Sequence, residues 1–191
     1  MKLIKKINYL LFIIASCVSL YLGFVYIKND NLIKLLITMS IIPSMLIPYF
    51  LNKLLTYKIT DGIIMLYTIF IIAAIILGSL YNLYYLIPLF DKIVHFTTGF
   101  LFSMFAVIIL KNFNKYDHHN IKFNLIFMAS ITCMSAVLWE IFEYISDYIF
   151  DGNAQRVLET GINDTMQDMI AALLGFIIFA IVYIGKKKSN R

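Results

Sequence analysis

The chain has 191 residues, of which 61% are hydrophobic and 14% charged, with a mean hydropathy of +0.85 and a formal charge of +5. This composition excludes an ordinary soluble domain, in which about half the residues are apolar and about a quarter charged. The basic residues rim apolar runs and build no folded basic module, so the expected partner is membrane lipid and not nucleic acid.

A helix crosses a bilayer with about 20 mainly apolar residues. Six runs meet that length, at about 9–27, 32–50, 63–83, 93–110, 125–144 and 166–184. The long alternating strands of a membrane barrel are absent, so the backbone must satisfy its hydrogen bonds as helices. The expected fold is all-α: a polytopic integral membrane protein with six transmembrane helices in one bundle, a single domain over residues 1–191.

Lys2, Lys5 and Lys6 precede the first run, and an apolar stretch follows to Cys17, the arrangement of a secretory signal with a lipid-attachment cysteine. The run continues through Leu22 and Phe24 to Ile27, which fits an uncleaved first span better. Cys17 and Cys133 both fall inside spans without metal-ligand spacing and are expected to be small packing residues. In the second span Pro43 and Pro48 remove main-chain donors and should bend the helix. Tyr81, Tyr84, Tyr85 and Pro88 follow the third span as an interfacial aromatic belt. His118 and His119, between spans four and five, are adjacent loop residues that would need further partners to hold a metal. Gly78 and Gly175 are candidates for close helix approach.

Counting Lys and Arg about the six spans places 12 of the 16 on the side that holds both termini. Basic flanks stay in the cytoplasm, so the expected location is the bacterial cell membrane, multi-pass, with both termini cytoplasmic. Nine of the 11 acidic residues then face outward, and most of them mark three helix ends. Span four opens with Asp91, Lys92 and His95; span five ends with Glu140, Glu143 and Asp147; span six begins with Asp164 and Asp168. Spacings of three and four put each set on one helix face. Carboxylates at this depth must be protonated, paired, metal-bound or wet.

Asp91, His95, Phe96, Gly99 and Phe100, then Glu140 and Glu143, then Leu158, Thr160, Gly161, Asp164, Thr165, Asp168 and Met169 resemble the motif blocks of the YjdF-like bacterial inner-membrane proteins. The likeness covers the second half of the chain, and the loop from Asp151 to Gly161 departs from that family's aromatic, Gly-rich form. A local likeness from Asp91 to Phe96 is to the VanZ-like membrane proteins. Neither resemblance implies a reaction.

Three classes of function fit these residues. A metal-dependent hydrolase or transferase acting on a lipid or isoprenoid headgroup would use a divalent metal held by His95, Glu140, Glu143 and Asp168. Asp91 or Asp164 would then orient ligands or act as general base, and Arg156 and Asp147 would meet substrate. No two-histidine zinc motif or nucleophile elbow accompanies them. A transporter would use the same groups as a proton or cation relay, and a structural protein would use them as a network that fixes helices together, each acid paired to Arg156, Lys92, Tyr or Ser.

Overall fold

The computed structural model describes residues 2–189, and the side chains of Lys2, Glu159, Lys187, Lys188 and Ser189 lie outside what is described, as does Arg191, all but Ser189 part of the sequence-based charge count. Among the described residues there are helices and no strands: α1 Lys2–Lys28, α2 Leu32–Leu54, α3 Asp61–Ile71, a π-helix over Ile72–Leu80, α4 Leu83–Leu86, α5 Phe90–Asn112, α6 Ile121–Phe150, α7 Val157–Thr160 and α8 Asn163–Ser189. Six helical stretches are long and apolar enough to cross a membrane, in agreement with the six runs of the sequence. Large apolar side chains line their outer surfaces, among them Leu20, Phe24, Ile126 and Ile181, each more than half exposed. Such a surface suits acyl chains and not water.

The chain divides into two compact units, residues 1–90 and 91–191. In the first, Ala15 and Leu22 of α1, Ile41 and Met45 of α2 and Ile71 pack with Ile76 and Leu80 of the π-helix. Polar side chains inside this unit are spent on the backbone: Ser19 Oγ donates to Thr38 O at 3.0 Å, and Asn8 Nδ2 donates to Asp61 O at 2.9 Å. Helix α2 continues through Pro43 and Pro48. Pro48 has no N–H for the carbonyl of Ser44, four residues earlier, and the Tyr67 hydroxyl donates to that carbonyl instead at 2.9 Å. The third span leaves α-geometry at Ile72, and its wider turn closes with Tyr81 N donating to Ile76 O at 3.0 Å. Gly78 lies under the Tyr84 ring, where a Cβ would collide.

In the second unit α5, α6 and α8 meet, and glycine sets the closest approach. A Cβ on Gly99 would run into the carbonyl of Ala172, and one on Gly175 into the carbonyl of Phe96. Backbone therefore packs on backbone where α5 crosses α8, and Phe100 seals the crossing edge-on against Phe179 at 5.3 Å between ring centres. Helix α6 turns the face Asn124, Met128, Thr132, Ala136 and Glu140 inward, one residue every fourth position. Thr132 Oγ1 meets Ser103 Oγ of α5 at 3.2 Å, and Asn124 Nδ2 meets Tyr183 Oη of α8 at 3.0 Å. Cys17 and Cys133 are both exposed on their helices and not packed inside, which corrects the expectation drawn from their small size.

Candidate metal centre

The Gly99–Ala172 crossing fixes what lies one turn above it. His95 stands four residues before Gly99 on α5, and Asp168 four residues before Ala172 on α8, so the crossing sets these two side chains against each other. His95 Nε2 lies 3.5 Å from Asp91 Oδ1 and 3.8 Å from Asp168 Oδ1. Ligand atoms of these three residues lie within 4.8 Å of one another, and His95 and Asp168 are buried. A tetrahedral ion with bonds of 2.0–2.1 Å separates its ligand atoms by about 3.4 Å, so the three need only small side-chain shifts to close on one ion.

Lys92 knots the same residues together. Its ammonium lies 2.6 Å from Asp164 Oδ1, 2.7 Å from Asp168 Oδ1 and 3.2 Å from Asp91 Oδ2. Asp164 and Asp168 share a face of α8 one turn apart, which lets one ammonium bridge both. Asp164 heads the helix, yet its Oδ1 is spent on Lys92.

Glu140 is 6% exposed, and neither of its carboxylate oxygens has a hydrogen-bond partner among the described residues. The Thr165 and Gln155 side chains stand beside it as hydrogen-bonding neighbours short of well-formed geometry, and His95 and Asp91 act on its charge. Glu143, one turn nearer the helix end, accepts from Trp139 Nε1 at 2.7 Å and also feels His95 and Asp91. A buried carboxylate without a partner is costly, which makes Glu140 the least satisfied group of the cluster.

The loop after α6 is fastened to it. Asp151 ends the helix in the left-handed conformation at φ 51°, and Asp147 accepts Ala154 N at 2.6 Å through Oδ1 and Gln155 N at 3.0 Å through Oδ2. Gln155 then reaches back, donating from Nε2 to Glu140 O at 3.2 Å and to Thr165 Oγ1 at 3.4 Å. Arg156 follows in left-handed backbone at φ 53° and heads α7. Asp147→Ala should remove the acceptor of two loop N–H groups and loosen residues 151–162 by about 2 kcal/mol. Limited proteolysis in detergent would then cut that loop faster than in the wild type; equal rates would contradict the anchoring role.

Of the residues singled out in the sequence, Asp91, His95, Asp164 and Asp168 are thus drawn into one knot. Glu140 and Glu143 stand beside it, outside the group at ligand distance, and Asp91 takes a place there instead. His118 and His119 do not join it: His118 packs edge-on against Tyr116, and His119 N donates to Asp117 Oδ1 at 2.7 Å. The sequence offered Lys92 as a partner of the acids only in the structural-network reading, and the structure pairs it with Asp91, Asp164 and Asp168. Gln155 belongs to a loop without periodicity, and Gly99 stood in a motif with no partner helix assigned.

Comparison with known proteins bears on the whole of this arrangement. Residues 7–189 match the family described as "Predicted membrane protein (DUF2238)". The chain belongs to the DUF2238 family. It is 32% identical over 147 residues to an uncharacterized protein of Thermotoga maritima, a stretch that covers 75% of this chain and 72% of the relative. No solved structure is significantly similar. Membership in this family agrees with the six apolar helices, and the match spans both compact units.

Proposed function

We propose that this DUF2238 protein is a divalent-metal enzyme, a hydrolase or transferase acting on a phosphorylated lipid or isoprenoid headgroup at the outer leaflet of the bacterial cell membrane. One observation carries the reading: Asp91, His95 and Asp168 hold ligand atoms within 4.8 Å of one another while Glu140 lies buried beside them without a hydrogen-bond partner. One imidazole with carboxylates suits zinc, manganese or iron.

In this reading Asp91, His95 and Asp168 are the ligands, and Glu140 and Glu143 face the ion from α6 as further ligands or as the base. An ion held there would polarise a phosphoryl oxygen and acidify a water for attack on phosphorus, and Glu140 is placed to take a proton and return it to the lipid alcohol that leaves. Asp164 is a positioning residue that acts through Lys92, and Asp147 one that acts through the loop. Arg156, carried by that loop, is assigned to the substrate phosphate. The excess of Lys and Arg about the termini supports an outward-facing site with both termini cytoplasmic. The three motif blocks support placing the chain with the YjdF-like proteins.

The test is release of phosphate from phosphatidate and from polyprenyl phosphates by purified protein in detergent. Mn²⁺ or Zn²⁺ should support turnover, and His95→Ala should lower it by about 100-fold or more, beyond the loss expected for an outer-sphere partner. Equal rates in His95→Ala and wild type would refute the enzyme reading.

A second reading, proton or cation passage, has its own observation. The buried face of α6 carries Asn124, Thr132 and Glu140 at intervals of eight residues, about 12 Å apart along the axis. Ser103 and Tyr183 meet the first two steps from neighbouring helices. Met128 and Ala136 lie buried between the steps, and these apolar layers weigh against a continuous path. Flux in proteoliposomes that Thr132→Val abolishes would favour passage over hydrolysis.

A further inference from the structure

Asp168 Oδ1 belongs to two arrangements at once. It stands 3.8 Å from His95 Nε2, in the group suited to a metal, and 2.7 Å from the ammonium of Lys92. Asp91 is divided in the same way, with Oδ1 toward His95 at 3.5 Å and Oδ2 toward Lys92 at 3.2 Å. An ammonium has three protons and no lone pair, and the carboxylates of Asp91, Asp164 and Asp168 engage them, with the Asp164 carbonyl a longer contact at 3.5 Å. A divalent ion that takes Asp91 and Asp168 draws charge from both. Lys92 is then left with Asp164 as its firm partner, at 2.6 Å. Two of its protons become available, within reach of the ion's own ligands. Glu140 lies buried beside them with no well-formed hydrogen bond to either carboxylate oxygen among the described residues, so an incoming cation has a further carboxylate to meet.

We infer that Lys92 is a built-in counter-cation: it competes with the divalent ion for Asp91 and Asp168, and once the ion is bound it becomes the donor that holds a phosphoryl oxyanion against that ion. The inference rests on the metal reading above and deepens it by naming a donor for the phosphoryl group at the ion and coupling the two ligands. A phosphoryl group suits the position because one of its oxygens can coordinate the ion while another accepts from the ammonium. The two ligands should therefore bind cooperatively, each strengthening the other by the same factor.

The experiment is calorimetric titration of the detergent-solubilised full chain with Mn²⁺, alone, with inorganic phosphate, and with phosphatidate in the micelle, each corrected by the same titration of His95→Ala. In the wild type, phosphate or phosphatidate should tighten Mn²⁺ binding by about 10-fold. In Lys92→Met, Mn²⁺ alone should bind about 10-fold more tightly than in the wild type, because its competitor is gone, and neither anion should tighten it further. Lys92→Arg, which keeps the charge, should retain weak binding without anion. Tightening by inorganic phosphate assigns a free anion, and tightening by phosphatidate alone assigns a lipid-borne one; both support the inference. Lys92→Met binding Mn²⁺ no more tightly than the wild type, or keeping the anion effect, would overturn it. If Lys92→Met does not elute as a folded species, the wild type decides, since no anion effect there overturns the inference without it. No Mn²⁺ binding above His95→Ala would instead remove the metal reading itself.

Discussion

Gly99→Ala is expected to lower stability by about 3 kcal/mol and to abolish divalent-ion binding together, although residue 99 is not a ligand. A methyl group at this position meets the carbonyl of Ala172, which is backbone and cannot rotate away. Helices α5 and α8 must move apart or slide, and His95 and Asp168, one turn above, separate with them. Lys92 would lose its bridge from α5 to Asp164 and Asp168, which now lie 2.6 and 2.7 Å from its ammonium. Gly175→Ala should act alike, against the carbonyl of Phe96. Gly185→Ala, where a Cβ meets nothing within 4 Å, is the matched control and should be silent in both measurements. Thermal unfolding in detergent, followed by the Trp139 emission and paired with ion titration, reads both effects. Loss of stability with intact ion affinity would show that the crossing does not set the site.

Asp168→Asn and Asp164→Asn are expected to separate ligand from support. Both carboxylates accept from Lys92, and both are buried. Removing either charge from this knot should cost about 3 kcal/mol of stability, because the ammonium is left under-paired in a poorly solvated place. Only Asp168 also stands near His95, at 3.8 Å. Asp168→Asn should therefore weaken Mn²⁺ binding by more than about 100-fold, while Asp164→Asn, which acts through Lys92, should change it by about 10-fold or less. Equal losses of affinity in the two variants would place Asp164 among the ligands or remove Asp168 from them.

The number of membrane-length helices was legible in the sequence because lipid imposes a length and forbids unpaired backbone, so six apolar runs near 20 residues admit one reading; their ends were not, since α1 begins at Lys2 and α6 runs on to Phe150. The polar faces of α5, α6 and α8 were legible for the same reason: Asp91 with His95, Glu140 with Glu143 and Asp164 with Asp168 carry helical spacing. The hub of the knot was not. Lys92 follows Asp91 directly, which on a helix turns it about 100° away, and nothing in the sequence tells that α8 lies on that side. The place of Asp91 beside His95 was not legible either, since spacing gives a face and not the rotamer that brings Asp91 closer to His95 than either glutamate. The π-helix at Ile72–Leu80 left no mark either, because an apolar run reads alike in both geometries. Pro48 was visible as a missing donor, but its remedy, the Tyr67 hydroxyl on Ser44 O, comes from another helix.

Metal analysis of the purified, detergent-solubilised chain after incubation with Mn²⁺ or Zn²⁺ and gel filtration, beside His95→Ala, tests the central claim most directly. The account predicts about one divalent ion per wild-type chain and about a tenth of that or less in the variant. Equal metal in the two proteins, or none in either, would contradict it.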